Sequence, residues 1–334
     1  MISTGILLAI VSGIFNGLFT TPMKLIPRWK WENIWLVFIL TACLAMPSAM
    51  ALVLGIDVMA VLDRVPGTVT TIALAFGFAW GFGSILFGLS VDRLGVSIAN
   101  TLVIGLSSAL GALVPLILKG GFHLGAAQVT LLAGVCCFLI GATLCGSAGR
   151  TRDRELGVGD SSRTSIAGYL FAIGSGVMSA VFNIGYTLAL PIASTAEEMG
   201  YSSFSATSII WILMLGAGSI PNILFCCFLM KQNSSAANFS QGPVSKTWLL
   251  SVLMGLLWGG SIYLYGAAAP MLGNLGPAIG WPLSLAAAVV VANLMGIFLK
   301  EWSGASPLSK GRMRNGLAIL LLAILLCAGS SQVS

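Results

Sequence analysis

Long stretches without a charged residue, separated by short basic clusters, constrain this chain more than any other feature. Nine such stretches match or exceed the roughly 20 residues with which a helix crosses a bilayer. They are Ile2–Pro22, Asn33–Ile56, Thr68–Val91, Val96–Leu118, Leu124–Gly149, Thr164–Ala196, Met199–Met230, Thr247–Leu299 and Asn315–Ser334. Thr247–Leu299 is too long for one crossing, and Pro270–Gly276 inside it has the proline and glycines of a turn. The sequence therefore predicts ten transmembrane helices.

The composition excludes several classes of protein. Charged residues make up only 8% of the chain, whereas soluble domains carry about 25%. This excludes a soluble enzyme, a nucleic-acid-binding protein and a disordered chain. The seven cysteines all lie in apolar stretches without a C-x-x-C spacing, and His123 is the only histidine. The cysteines are therefore predicted to be small buried apolar side chains, and the sequence predicts no metal site and no cofactor.

The basic residues are distributed asymmetrically between the predicted loops. Of the 16 Lys and Arg residues, only Arg64 and Lys119 fall outside the loops that follow helices one, three, five, seven and nine. Because cytoplasmic loops retain positive charge, both termini are predicted to face outward, away from the cytoplasm. The longest polar segment, residues 150–163, is predicted to be a basic cytoplasmic linker between a first half, residues 1–149, and a second half, residues 164–334.

An internal repeat relates the two halves. Aligned at an offset of 178, Phe76–Gly95 and Met254–Gly273 share seven of 20 positions, including Trp80 with Trp258. Five helices per half is an odd number, so the halves must have opposite orientations. The predicted fold is an all-α integral membrane protein whose ten helices form two inverted five-helix repeats, an arrangement typical of secondary transporters. Close helix packing is predicted for Gly13-x-x-x-Gly17, Gly77-x-x-x-Gly81 and Gly255-x-x-x-Gly259.

The polar side chains inside the apolar stretches indicate the substrate class. They are amides and hydroxyls, accompanied by aromatic residues and by no charged group. This excludes a carboxylate relay at the bilayer centre and disfavours a charged substrate. Amides that bond hydroxyl groups, together with aromatic faces that stack on a sugar ring, suit a neutral sugar or polyol. The predicted substrate-binding residues are Asn16, Trp80, Ser84, Asn100, Asn183, Trp258, Tyr263 and Trp281.

Structural roles compete with these assignments. An asparagine within a membrane helix also serves to bond neighbouring helices together. Tryptophans near helix ends are typical interface anchors, and this is the prediction for Trp29, Trp31, Trp35, Trp248 and Trp302. Glu32 is predicted either to cap the start of helix two or to carry a coupling proton. Glu301 lies at the end of a span, where it would serve only at a cytoplasmic gate.

Several stretches resemble the L-rhamnose–proton symporter family of the drug/metabolite transporter superfamily. The similar motifs occur in order along nearly the whole chain and are Pro22-x-Lys24, Trp29-x-Trp31-Glu32-x-x-Trp35, Phe76-Gly-x-x-Trp80-Gly-x-Gly83, Leu139-Ile-Gly141, Gly255-Leu-x-Trp258 and Leu299-Lys300-Glu301-Trp302. The resemblance implies ten helices, a bacterial inner-membrane location and proton-linked uptake of a 6-deoxy sugar.

One segment departs from the family pattern. Members of the family carry an acidic, tyrosine-containing stretch shortly before the helix-nine tryptophan, whereas Gly276–Trp281 has neither a carboxylate nor a phenol. A related sugar, and facilitated or sodium-linked transport, therefore stay open beside proton symport of L-rhamnose. An exporter of a metabolite or drug is the nearest rival, and an intramembrane enzyme is disfavoured because no carboxylate or histidine lies within a span. The expected partners are thus a neutral sugar, a coupling proton and the bilayer, with no nucleic acid and with the oligomeric state left open.

Overall fold

Ten long apolar helices make up the chain. A computed structural model describes residues 1–94, 96–120, 124–157 and 166–332. The ten long helices in it are α1 Ile2–Leu25, α2 Trp31–Val53, α3 Gly67–Leu94, α4 Val96–Gly120, α5 Ala126–Glu155, α6 Ile166–Glu198, α7 Ser203–Gln232, α8 Val244–Met271, α9 Gly276–Phe298 and α10 Pro307–Ser330. All ten are long and apolar enough to cross a membrane. This confirms the prediction of an all-α integral membrane fold with ten spans.

Prolines explain the irregular turns inside two helices. In α2 the turn Leu40–Ala45 widens to a π-helix directly before Pro47, which has no N–H group to donate to the preceding turn. In α6 the regular hydrogen bonding is interrupted at Ala189, and Pro191 then occupies the first turn of the segment Leu190–Glu198.

The contacts between helices fit the predicted correspondence between the two halves. If α1 to α5 correspond in order to α6 to α10, then the contact of α3 with α6 corresponds to that of α8 with α1, and both are extensive. The same correspondence holds for α4 with α6 and α9 with α1, and for α3 with α7 and α8 with α2. Helices α5 and α10, which correspond to each other in the predicted repeat, also pack together.

Glycines allow the closest of these approaches. A Cβ atom on Gly77 or Gly81 would overlap the backbone of α7, at Met214 and Gly218 respectively. The equivalent pair on α8, Gly255 and Gly259, faces α2, and Gly13 and Gly17 face the backbone of α9. The predicted packing role of these three glycine pairs is confirmed, since any side chain there would force the helices apart.

The helix bundle has two opposite faces at the ends of its helices. Ten crossings place residues 1 and 332 on one face, the terminal face, and the opposite face is the basic face, which bears Lys24, Lys231 and Lys300. On the basic face α5 continues through Glu155, so the first part of the predicted linker is helical. Residues 158–165 lie outside the described part of the chain, as does His123. The division into halves at residues 149 and 164 stays a prediction.

Candidate functional site

A central cavity lies between the two halves. Its volume is about 260 Å³, and helices α1, α2, α3, α4, α6, α8 and α9 contribute its walls. Six of the predicted substrate-binding residues line it, namely Asn16, Trp80, Ser84, Asn100, Trp258 and Trp281. Among the described residues that line this cavity, none carries a charge. The site is therefore neutral and combines aromatic, amide and hydroxyl groups.

Stacked aromatic rings form one side of the cavity. The indoles of Trp80 and Trp258 lie parallel, with ring centroids 5.2 Å apart and planes inclined by 10°. Phe182 of α6 packs against Trp80 at 4.8 Å. Trp281 of α9 is 7% exposed, and its indole N–H donates to the carbonyl oxygen of Ser107 at 3.2 Å. The two tryptophans that the repeat equates thus stack on each other, and both line the cavity.

Asn222 of α7 is buried behind the cavity wall and holds two of its side chains. Its amide oxygen accepts hydrogen bonds from the indole N–H of Trp35, at 3.1 Å, and from the hydroxyl of Ser84. Its amide nitrogen donates to the carbonyl oxygens of Gly81 and Gly218, both at 3.0 Å. All four hydrogen bonds available to an asparagine amide are made, so the geometry of this wall is fixed.

The amides on the basic-face side of the cavity are less constrained. Within the described part of the chain, the side chains of Asn16 and Asn100 have no hydrogen-bond partner, although both line the cavity. Asn293 donates to the carbonyl oxygen of Val289 on its own helix at 2.8 Å, which leaves its amide oxygen available. These groups can bond to the hydroxyls of a ligand without breaking a contact within the protein.

Two predicted site residues, Asn183 and Tyr263, do not line the cavity. Asn183 is fully buried, and its amide nitrogen donates to the carbonyl oxygens of Gly111 at 2.7 Å and Pro277 at 3.1 Å. Tyr263 is 3% exposed and packs near Phe204, with ring centroids 6.3 Å apart. Asn183 therefore bonds three helices together in this conformation, and neither side chain reaches the cavity.

The two carboxylates considered from the sequence lie at the basic face, outside the cavity wall. Glu32 is 3% exposed, and its carboxylate accepts hydrogen bonds from the Ser235 hydroxyl at 2.6 Å and the Asn233 amide at 3.0 Å, in the loop after α7. Glu301 forms an ion pair with Lys24 and lies 3.5 Å from Arg152. Glu32 thus ties α2 to a loop of the second half, and Glu301 joins the ends of α1, α5 and α9.

A smaller pocket leads from the cavity toward these charged groups. It has a volume of about 150 Å³ and shares Asn100, Ile104 and Asn293 with the central cavity. Its far wall includes Trp302 and Arg152, whose guanidinium lies 4.9 Å from the centre of the Trp302 ring. The lining of the site therefore continues from the centre of the bundle to the basic face.

The sequence reasoning placed one cavity residue wrongly and overlooked others. Trp35 was predicted to anchor the membrane interface, but it is 9% exposed and lines the cavity. The anchor prediction is wrong here because α2 turns this face toward Asn222 rather than toward lipid. Cavity residues that sequence reasoning left out of the site include Thr20, Phe38, Ile39, Ser175, Ser179, Ile262 and Leu285. Ser175 and Ser179 lie one helical turn apart, a spacing that marks a common face of α6.

Comparison with known proteins identifies relatives along the whole chain. A family model described as "L-rhamnose-proton symport protein (RhaT)" matches residues 1–331. The L-rhamnose-proton symporter of Klebsiella pneumoniae (strain 342) is 27% identical over 331 residues, which cover 96% of both chains. The L-rhamnose-proton symporter of Enterobacter sp. (strain 638) is 26% identical over the same coverage.

A solved crystal structure has the same fold. It superposes with a TM-score of 0.59 at 15% sequence identity, and the match covers 98% of this chain and 96% of the other. The sequence similarity is too low to transfer a function, but the coverage shows that all ten helices follow an arrangement already known in another protein.

Proposed function

Because this chain belongs to the L-rhamnose-proton symport protein family, we propose that it imports L-rhamnose or a related 6-deoxy sugar together with a proton. The family consists of symport transporters, so the chain is a multi-pass membrane transporter and not an enzyme. We place it in the bacterial inner membrane, with the basic face toward the cytoplasm and both termini in the periplasm. The excess of Lys and Arg on the basic face supports this orientation.

The neutral lining of the central cavity is the observation that carries the choice of substrate. A charged sugar derivative would enter a site with no counter-ion, at a large cost in desolvation. Asn16, Asn100 and Ser84 offer hydrogen bonds to hydroxyl groups, while Trp80 and Trp258 offer an aromatic surface for a sugar ring. A site between inverted repeats also suits alternating access, in which one half rocks against the other around the bound sugar.

Labelled L-rhamnose uptake into proteoliposomes tests the proposal. We expect accumulation above the external concentration when a proton gradient is directed inward, and loss of that accumulation when a protonophore is added. Protein-free liposomes are the control for leakage. Uptake that only equilibrates would contradict proton symport, and the absence of any uptake would contradict L-rhamnose as the substrate.

We propose Glu32 as the proton-coupling carboxylate. Among the carboxylates that the structure describes, it is the buried one, and it lies one turn from the cavity residue Trp35 on the same helix. Its hydrogen bonds to Ser235 and Asn233 link that turn to the second half. Protonation of Glu32 would therefore alter a contact between the moving parts.

The variant Glu32→Gln separates coupling from binding. It retains an amide oxygen for the bonds from Ser235 and Asn233 but cannot take up a proton in this pH range. We expect it to lose gradient-driven accumulation and to keep counterflow, the exchange of labelled for unlabelled sugar. Glu301→Gln, at the ion cluster with Lys24 and Arg152 on the same face, is the matched control and should still accumulate sugar. Accumulation by Glu32→Gln at the wild-type level would remove Glu32 from the coupling mechanism.

Facilitated transport of the same sugar is a second candidate. It is favoured by the absence of a carboxylate among the described residues that line the cavity. The uptake experiment distinguishes the two, since a facilitator brings the inner concentration only up to the outer one whatever the proton gradient.

A further inference from the structure

A second cavity opens on the terminal face. Its volume is about 410 Å³, and it lies among the outer ends of α4, α6, α7, α8 and α9. Polar side chains contribute much of its lining, among them Lys119, Ser194, Glu197, Thr207 and Asn274. We call this cavity the outer pocket. It shares no lining residue with the central cavity.

Only a thin layer separates the two cavities. On α6, Phe182 lines the central cavity and Tyr186, one turn further along, lines the outer pocket. On α9, Trp281 lines the central cavity and Pro277, one turn earlier, lines the outer pocket. The outer pocket is therefore in line with the central cavity along the same helices.

Side chains of α6 close this layer by bonding to two interrupted helices. Pro115 in α4 and Pro270 in α8 have no N–H group, so the carbonyls of Gly111 and Gly266, four residues earlier, lose their usual helical donors. Asn183 donates to the Gly111 carbonyl at 2.7 Å, and the hydroxyl of Tyr186 donates to the Gly266 carbonyl at 3.3 Å. Tyr265 of α8 completes the layer by donating to the amide oxygen of Asn183.

The same two glycines receive indole rings. A Cβ atom on Gly111 would overlap the ring of Trp281, and one on Gly266 would overlap the ring of Trp211. Trp211 is fully buried and lies parallel to Tyr186, with ring centroids 4.5 Å apart. At both Gly111-x-x-x-Pro115 and Gly266-x-x-x-Pro270, a carbonyl without its helical donor thus accepts a side-chain hydrogen bond, and the glycine leaves room for an indole ring.

The indole N–H of Trp211 is buried and has no hydrogen-bond partner among the described residues. A buried donor without a partner is unfavourable, and it would be satisfied by water if the layer opened. The layer is therefore held by few hydrogen bonds, at places where two helices are already interrupted, and one of its members gains a partner on opening.

We propose that the outer pocket is a second binding site for the transported sugar, and that Asn183, Tyr186, Trp211 and Tyr265 form the gate between it and the central cavity. The identity of the ligand rests on the proposed function, whereas the gate does not. The polar lining of the outer pocket suits the hydroxyls of a sugar that arrives from the terminal face. In the conformation described here the gate is closed, and the central cavity communicates with the basic face.

Cysteine accessibility in membrane vesicles tests the gate. Ser179→Cys reports on the central cavity, Ser194→Cys on the outer pocket, and Ser303→Cys on the basic face, with the unsubstituted protein as background. A membrane-impermeant maleimide applied from the terminal face should modify Ser194→Cys rapidly and Ser179→Cys slowly. Adding Tyr265→Phe or Asn183→Ala should speed the second reaction about tenfold or more, the factor expected for the loss of one hydrogen bond.

Two controls accompany this test. Ser303→Cys should react only in vesicles of the opposite orientation, and a cooperative melting transition shows that the gate variants are folded. Equal rates for Ser179→Cys and Ser194→Cys with an intact gate would overturn the gate, as would gate variants that leave the Ser179→Cys rate unchanged. No sugar is present in these measurements, so they stand whether or not L-rhamnose is the substrate.

Protection by sugar tests the second site. L-rhamnose should slow the modification of Ser194→Cys at least severalfold, and sorbitol should not. If uptake of L-rhamnose is measured but no protection occurs, the outer pocket is only a passage and the second site is overturned. If neither uptake nor protection occurs, the proposed substrate has failed, and the sugar that is taken up replaces L-rhamnose in this experiment, where its failure to protect would again overturn the site.

Discussion

The two halves place positions that the repeat equates in the lining of the central cavity, and some of the side chains there differ. Trp80 and Trp258 are identical and stack on each other, but one turn later Ser84 of α3 is matched by Ile262 of α8 at the same offset of 178. The first-repeat wall thus carries a hydroxyl where the second-repeat wall carries a branched alkyl group. At this pair of positions the cavity lining is therefore polar on α3 and apolar on α8.

The packing behind these walls differs in the same sense. Behind Ser84, the interface of α3 with α7 contains Asn222 and its four hydrogen bonds. In the equivalent interface of α8 with α2, Gly255 meets the side chain of Thr41, whose hydroxyl donates to its own helix at Val37. A hydrogen-bonded wall keeps its shape more strictly than one held by dispersion forces alone. We infer that the first-repeat wall orients the ligand and that the second-repeat wall adapts to it.

The largest effect on uptake should come from the stacked pair Trp80 and Trp258, which is identical in the two repeats. Trp80→Ala and Trp258→Ala should each reduce kcat/KM for uptake about 100-fold, since a buried tryptophan at a binding site typically contributes about 3 kcal/mol. Because each indole positions the other, the double variant should lose little more than either single one. Uptake kinetics at matched membrane expression measure this. Trp248→Ala, a partly exposed tryptophan away from the cavity, is the control. Additive losses would mean that the two rings act separately.

An intermediate effect should come from the polar interface. Asn222→Leu, which conserves size, removes the acceptor of Trp35 and Ser84 and should lower uptake about tenfold through loss of about 1.4 kcal/mol of binding energy. Thr41→Val in the equivalent apolar interface should change unfolding by no more than about 0.5 kcal/mol and leave uptake intact. Combining Asn222→Leu with Ser84→Ala tests whether Asn222 acts through Ser84. If the two effects are independent, Asn222 has a general packing role instead.

The frame could be predicted from the sequence more fully than the site. Uncharged stretches and basic loops define the ten helices. The thickness of the bilayer sets the length of the apolar stretches, and the orientation of the chain determines which loops are basic. The residues shared around Trp80 and Trp258 predict that the two tryptophans lie together, because matching positions of a repeat occupy equivalent places in the fold. Both kinds of information are present in a single sequence, without knowledge of which helix faces meet.

The orientation of individual side chains could not be predicted in this way. Asn16 and Asn183 are both asparagines within apolar helices. Asn16 lines the cavity, whereas the amide nitrogen of Asn183 donates to the carbonyl oxygen of Gly111. That difference depends on Pro115 in another helix, which removes the helical donor of Gly111. Trp35 was assigned to the interface because its sequence position lies near a helix end, whereas Asn222, far along the chain, holds it in the cavity wall.

The smallest effect, on substrate preference, would sharpen the comparison most directly. If the hydroxyls of the sugar face Ser84 and its methyl group faces Ile262, Ser84→Ala should raise KM for L-rhamnose about fivefold, for the loss of about 1 kcal/mol. Ile262→Thr should instead favour L-mannose, which has a hydroxymethyl group where L-rhamnose has a methyl group. The ratio of the two kcat/KM values should shift by a similar factor, since one added hydrogen bond is gained.

Competition between the two labelled sugars in the same vesicles measures this ratio. Ile104→Thr, which introduces the same change elsewhere in the cavity lining, is the matched control and should leave the ratio unchanged. If Ser84→Ala rather than Ile262→Thr alters the ratio, then the sugar binds in the reverse orientation. In that case the asymmetry between the repeats still determines specificity, but the wall from the first repeat is the one that recognises the sixth carbon.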